Sequence, residues 1–217
     1  MNIAFLGDSI TCGYGLSDVN QRYTALLSQK LGLEEENHGI TGTLIAQAGL
    51  NRTDGKDFVS RQHLIDSADI AVVFGGTNDY FWSDLPIYGG ESDAYFAHAM
   101  ETLCQYICRV RAGKVTLVVT PYPHNGIGNF IGGETWRTSS RHDTDAVNYN
   151  GHTLSEYASV MEAICLKYGI PCLNLHKNFT FDHRRHTSDG CHPNAEGHRL
   201  LAEAIGNRIN TLLNEKS

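Results

Sequence analysis

Two hydrophobic patterns alternate along this chain, and that alternation limits its fold more than any other feature. Continuous apolar runs occur at Asn2 to Leu6, Asp69 to Phe74, Val115 to Thr120 and Ile170 to Leu175, each bounded by Gly, Pro or polar turn residues. Between them, apolar residues recur at helical intervals in Tyr23 to Leu31, Ala94 to Val110, Tyr157 to Tyr168 and Glu196 to Leu213. Strands that are apolar throughout are buried on both faces, the condition of a parallel sheet covered by helices. The expected class is therefore α/β: a three-layer α/β/α sandwich with a central, mostly parallel sheet. No repeat, low-complexity tract or linker divides the 217 residues, so residues 1–217 read as a single domain.

In such sheets reacting groups gather at the carboxyl edge, where strands give way to loops. Four short elements fall there or at a helix entrance. The first strand runs directly into Gly7-Asp8-Ser9-Ile10-Thr11, which presents a hydroxyl just before a helix or turn. Ser and Asp are also favoured helix N-caps, so this element alone is ambiguous. Asn37-His38-Gly39-Ile40-Thr41-Gly42-Thr43 is a Gly-spaced loop ahead of a possible short helix at Leu44 to Ala48. Its glycines suit either a tight turn or an N–H aimed at a developing oxyanion.

Gly75-Gly76-Thr77-Asn78-Asp79 follows the strand ending at Phe74. The Asn78 amide offers two uncharged donors for an oxyanion, although an Asx turn or N-cap would also place an Asn here. Asp189-Gly190-Cys191-His192-Pro193-Asn194 precedes the last amphipathic stretch. A carboxylate and an imidazole three residues apart can meet on one turn, the carboxylate holding Nδ1–H and leaving Nε2 as a base for a serine hydroxyl. Cys191 is not expected to be a nucleophile, since neighbouring side chains on an extended turn point apart.

Taken in order and at their spacing, the four elements resemble blocks I, II, III and V of the SGNH hydrolase (GDSL-type esterase/lipase) family, over Gly7 to Asn194. The resemblance implies a flavodoxin-like α/β/α frame and a serine ester hydrolase that needs no cofactor and no metal. It implies Ser9 as nucleophile, with His192 as base and Asp189 as its orienter. It also implies Ser9, Gly42 and Asn78 as oxyanion-hole donors, with Gly39 the alternative to Gly42. Carbohydrate deacetylases, lipases, lysophospholipases and thioesterases share this frame. Aromatics beside polar side chains in Tyr80 to Pro86 and in Pro121 to Gly151 favour a small acyl group on a carbohydrate or other polar alcohol.

Bulk properties exclude other classes. Hydrophobic residues make up 41% and charged residues 19%, as in an ordinary soluble domain. A net charge of -7 gives no surface suited to phosphates, so no nucleic-acid partner is expected. Oligomeric state leaves no trace in the sequence. Glu34-Glu35-Glu36 reads as a solvated helix end. Met1 to Leu6 reach Gly7 with no room for a signal peptide, and no run approaches the roughly 18 apolar residues of a membrane span, so a cytoplasmic location is expected.

Six scattered cysteines point to free thiols, and Cys104 with Cys108 falls short of a zinc site. His183, His186, His192 and His198 near Asp182 and Asp189 suggest a metal hydrolase only weakly, because Arg184 and Arg185 lie among them. A non-catalytic carbohydrate-binding module, stacking a sugar on Trp82, Trp136 and Tyr149, is the remaining alternative.

Overall fold

The computed structural model describes residues 1–47, 55–124, 147–148 and 150–215. Among the described residues, five strands, β1 (Asn2–Gly7), β2 (Glu34–Gly39), β3 (Ile70–Phe74), β4 (Val115–Val119) and β5 (Cys172–Leu173), form one sheet in the order β2-β1-β3-β4-β5. Every pairing is parallel, and the carboxyl ends align: Gly7 lies opposite both Gly39 and Phe74, and Val119 lies opposite Phe74 and Leu173. Because β1 sits between β2 and β3, the winding reverses there and opens a crevice at the carboxyl edge.

Both faces of the sheet are covered, as the continuous apolar runs require. Ala4, Leu6, Ala71, Val73 and Val118 pack with α5 (Phe96–Val110) and α6 (Leu154–Lys167) on one side. Ile3, Phe5, Val72, Phe74, Leu117 and Val119 pack with α2 (Tyr23–Leu31) and α9 (Ala195–Asn214) on the other. Each of the Val, Leu, Ile and Phe side chains removed from water here contributes about 1.5–3 kcal/mol, so these two layers dominate the favourable side of folding. Local signals set the ends. Thr153 and Glu156 form a capping box at the start of α6, and Asn194 caps α9 by accepting from the N–H of Gly197 at 3.0 Å. Among the described residues, no helix is long and apolar enough to cross a membrane.

The structure departs from the sequence expectations in three places. Glu34-Glu35-Glu36 opens edge strand β2 instead of ending a helix. Parallel pairing with β1 meets the backbone groups on its inner side, while Glu35 takes two bonds from Arg22 at 3.0 and 3.2 Å and Glu36 accepts from Asn2 at 2.5 Å. Ile45 to Gln47 forms bends and Leu44 is irregular, with no helix, because the N–H groups of Ile45 and Ala46 are donated to the Asp79 carboxylate; Ala48 lies outside the described residues. Finally, β5 stops at Leu173, since Asn174 caps α7 (Leu175–Asn178) through the N–H of Lys177.

Candidate active site

At the carboxyl edge of β1 the chain turns into α1 (Ser9–Cys12). Asp8 takes the capping role: one carboxylate oxygen accepts the N–H of Ile10 at 2.9 Å. With the cap supplied by its neighbour, the Ser9 hydroxyl is left to meet His192, and Ser9 Oγ lies 3.0 Å from His192 Nε2. As the first residue of α1, Ser9 also has an N–H with no acceptor within the helix.

His192 and Asp189 come from the turn that precedes α9. Its backbone folds back on itself: the N–H of Ser188 donates to the carbonyl of His192 at 2.9 Å, and Thr187 bridges Pro193. Asp189 Oδ1 accepts the N–H groups of Cys191 at 2.9 Å and His192 at 2.7 Å, while Oδ2 lies 2.6 Å from His192 Nδ1. Burial would push the Asp189 carboxyl up, but the imidazole and the two N–H donors outweigh it and hold the group at about 2. It is therefore ionised at neutral pH and keeps Nδ1 protonated, with Nε2 turned to Ser9. The Tyr122 hydroxyl donates to the carbonyl of Cys191 at 2.6 Å and so fixes the turn from beneath. Cys191 itself is buried, its thiol pushed well up by burial and then by the charge of Asp189.

The opposite wall is built from the ends of β2 and β3. Asn78, on α4 (Thr77–Trp82), places its amide nitrogen 3.1 Å from the carbonyl of Thr43 and 3.3 Å from Asp8 Oδ2. Gly42 has φ 74°, a left-handed conformation that costs glycine little. Gly39 serves a different purpose. Its N–H is donated to Asn37 Oδ1 at 2.9 Å, and a Cβ on it would fall 2.3 Å from the backbone nitrogen of Cys12, so the missing side chain lets α1 seat against β2.

Two residues that sequence reasoning did not single out hold the 43–46 loop. Asp79, wholly buried, receives the N–H groups of Ile45 and Ala46 at 2.9–3.1 Å and so couples that loop to the helix bearing Asn78. Arg61, buried at the end of α3 (Phe58–Arg61), reaches the carbonyls of His38 at 2.7 Å and Gly7 at 3.3 Å and the Thr43 hydroxyl at 3.2 Å. Its partners are scattered and mostly backbone atoms, so no local pattern marks it. His124 follows β4 at the same edge and is buried between Tyr122 and Phe81; burial, then repulsion by His192, lowers it to about 3.

The structure thus brings Ser9, His192 and Asp189 into one line of contacts, ties Asn78 to Asp8 beside Ser9 and to the Thr43 carbonyl, and places Gly42 next to Thr43. Other sequence candidates are not gathered there as ligands. His198 Nδ1 accepts the N–H of Tyr23 at 3.2 Å, and His186 Nδ1 that of Asp182 at 3.1 Å. Among the described residues, no group of three or more His, Cys, Asp or Glu side chains is arranged to hold a metal ion. Tyr80 and Phe81 are core residues, and Trp82 is half-buried against the same cluster. Trp136 and Tyr149 lie outside the described residues, as does most of the Pro121 to Gly151 stretch.

A comparison with curated protein sequences found no match. Among solved structures, the fold is similar to a protein from Lactobacillus plantarum, with TM-score 0.78 and 26% identity over 97% of this chain and 96% of that one. A possible lipase from Chitinophaga pinensis superposes with TM-score 0.69 at 19% identity, covering 97% and 98% of the two chains. A carbohydrate acetylesterase family member from Sinorhizobium meliloti does so with TM-score 0.60 at 20% identity, covering 99% and 100%. The sequence profile of the GDSL-like lipase/acylhydrolase family matches residues 5–200. The chain therefore belongs to the GDSL-like lipase/acylhydrolase family and is a serine ester hydrolase.

Proposed function

We propose that the chain hydrolyses a carboxylic ester through a Ser9–His192–Asp189 triad and an acyl-enzyme, and that residues 1–217 form the single domain that does so. One observation carries the reading: Oγ of Ser9, both ring nitrogens of His192 and Oδ2 of Asp189 stand in one line of contacts of 3.0 and 2.6 Å. His192 Nε2 takes the Ser9 proton as Oγ attacks the ester carbonyl. Negative charge then develops on the carbonyl oxygen, beside the N–H groups of Ser9 and Gly42 and the Asn78 amide. Gly42 is taken from the resemblance to the family, with Gly39, whose N–H is donated to Asn37, as the alternative. Of the two contacts of the Asn78 amide, the longer one, to Asp8, is the one a developing oxyanion would displace.

Collapse of the tetrahedral intermediate expels the alcohol with the proton from Nε2 and leaves Ser9 acylated. Water then gives its proton to Nε2 and attacks the acyl carbon, and the acid departs as Ser9 recovers its proton. Each proton transfer runs between His192 Nε2 and Ser9, the leaving alcohol or the attacking water.

As the finer substrate reading we favour a small acyl group, of acetyl type, on a carbohydrate or other polar alcohol. Tyr80 and Phe81 no longer support it, since both are packed in the core. Its support is that several buried side chains about Ser9 are polar: Asp8 precedes it, Asn78 reaches Asp8 and the Thr43 carbonyl, and Arg61 reaches the Gly7 carbonyl and the Thr43 hydroxyl. A long acyl chain would draw on apolar wall at about 0.8 kcal/mol per CH₂.

A single experiment separates the readings: turnover of p-nitrophenyl esters from acetyl to decanoyl by the parent protein and by Ser9→Ala. The expected result is a loss of at least ~10³-fold in Ser9→Ala and, for the parent, a kcat/KM that peaks between acetyl and butyryl. Equal near-background rates for both proteins would point to a carbohydrate-binding module instead. A profile rising through decanoyl would point to a lysophospholipase or an acyl thioesterase.

A further inference from the structure

Helix α1 carries more than Ser9. It ends at Gly13, whose φ of 85° closes a left-handed cap, and the N–H of Tyr14 then donates to the carbonyl of Ser9 at 2.9 Å. The backbone of the residue beside the imidazole is thereby tied to Ser9 itself. This cap sets the Tyr14 ring against the His192 imidazole, with centroids 4.6 Å apart and planes inclined by 49°. The next residue extends the contact: a Cβ at Gly15 would sit 3.3 Å from the Ser188 hydroxyl, beside Asp189. The loop leaving α1 is thus seated on the turn that bears His192 and Asp189.

Burial around this contact is unequal. His192 is 7% exposed, whereas Tyr14 is 46% exposed and counts among the large side chains left open to solvent. A tyrosine kept at the surface contributes little to the core, so its place beside the imidazole needs a reason other than stability. Aromatic rings in tilted contact resist sliding and rotation of their partner. An imidazole that must first accept a proton from Ser9 and then deliver it to a leaving alcohol gains from that restraint.

We propose that Tyr14 is a positioning residue for His192: its ring holds the imidazole in the orientation that aims Nε2 at Ser9 Oγ and at the leaving alcohol. The inference rests on the proposed triad. Its mark is leaving-group dependence. p-Nitrophenolate departs without a proton, whereas ethanol needs the one on Nε2, so misplacing the imidazole harms the alkyl ester more.

The test compares kcat/KM, which covers the steps up to the acyl-enzyme, on p-nitrophenyl acetate and ethyl acetate for the parent, Tyr14→Ala, Tyr14→Phe and Ser9→Ala. Tyr14→Ala is expected to lose roughly 10- to 30-fold on ethyl acetate and no more than about 3-fold on p-nitrophenyl acetate. Its thermal midpoint should stay within about 2 °C of the parent, as for other surface substitutions. Tyr14→Phe, which keeps the ring, should restore both esters to within about 2-fold of the parent. Parent-like rates in Tyr14→Ala, an equal loss on both esters, or failure of Tyr14→Phe to restore the alkyl ester would each overturn the proposal. Substantial turnover by Ser9→Ala would instead bring down the triad on which it stands, which keeps the two failures distinct.

Discussion

At the residue scale, Asp8 and Ser9 divide two tasks that either side chain could perform. The carboxylate caps α1, and the hydroxyl is spared for His192. Asn78 is placed less freely, held between the carbonyl of Thr43 and Asp8. Its proposed role predicts a particular kinetic signature. Asn78→Ala should lower kcat on p-nitrophenyl acetate roughly 10²-fold with KM nearly unchanged, since its amide matters most once charge sits on the carbonyl oxygen. Steady-state kinetics decides it: a rise in KM at constant kcat would make Asn78 a substrate binder. As candidates, Ser9, Asn78, Asp189 and His192 were legible in the sequence because each lies in a short pattern at a strand end or helix entrance. Arg61 and Tyr14 were not, because their partners are carbonyls and a ring from distant segments. Asp79 was visible as part of Gly75 to Asp79, but its bonds to the backbone of Ile45 and Ala46 were not.

The elements were legible where burial dictated their pattern. β3 and β4 are buried at every position, and their apolar runs predicted them to within a residue. β2 escaped notice because an edge strand can be stable through backbone pairing while its side chains stay half in water. Its acidic residues also discourage other chains from pairing along that edge, which explains why a charge run and a strand coincide. The end of β2 nonetheless bears on the site, because the backbone of α1 packs directly over Gly39. A Cβ there would lie 2.3 Å from the nitrogen of Cys12 and 2.7 Å from the carbonyl carbon of Thr11, and backbone atoms cannot swing aside as a side-chain tip can. Gly39→Ala should therefore push α1, and Ser9 with it, away from His192. The expected outcome is a fall in kcat/KM of at least ~10-fold together with a lower thermal midpoint. Parent-like activity would mean that the β2–α1 contact has slack the packing does not suggest.

Over the whole molecule, a net charge of -7 is carried by the sequence, yet the carboxyls of Asp8 and Asp79 and the imidazoles of His124 and His198 near the site are buried. Burial raises Asp8 to about 6 and Asp79 to about 7 despite their N–H donors, and it lowers His124 to about 3 and His198 to about 4. For the acids, the folded protein binds protons that the unfolded chain, with carboxyls near ~3.9, does not. Their contribution to stability is therefore full below about pH 4 and is lost as pH rises through 6 and 7. The histidines act in the opposite sense: their contribution is full above ~6.5 and is lost as pH falls through 4 and 3. With two groups on each side, the opposing slopes nearly cancel over the interval they share. Asp79→Asn breaks this balance by removing one acid. At pH 4.5 both proteins carry a neutral group at position 79, whereas at pH 8 only the parent holds a buried charge there. The Asn amide faces an N–H of the 45–46 backbone, which sets a constant offset but not the trend. The midpoint of the variant minus that of the parent should thus become more positive between pH 4.5 and 8, by on the order of 5 °C. Paired thermal melts across that range decide it: a difference that stays level or falls would mean that the two loop N–H groups compensate the Asp79 charge in full, so that burial no longer governs its titration.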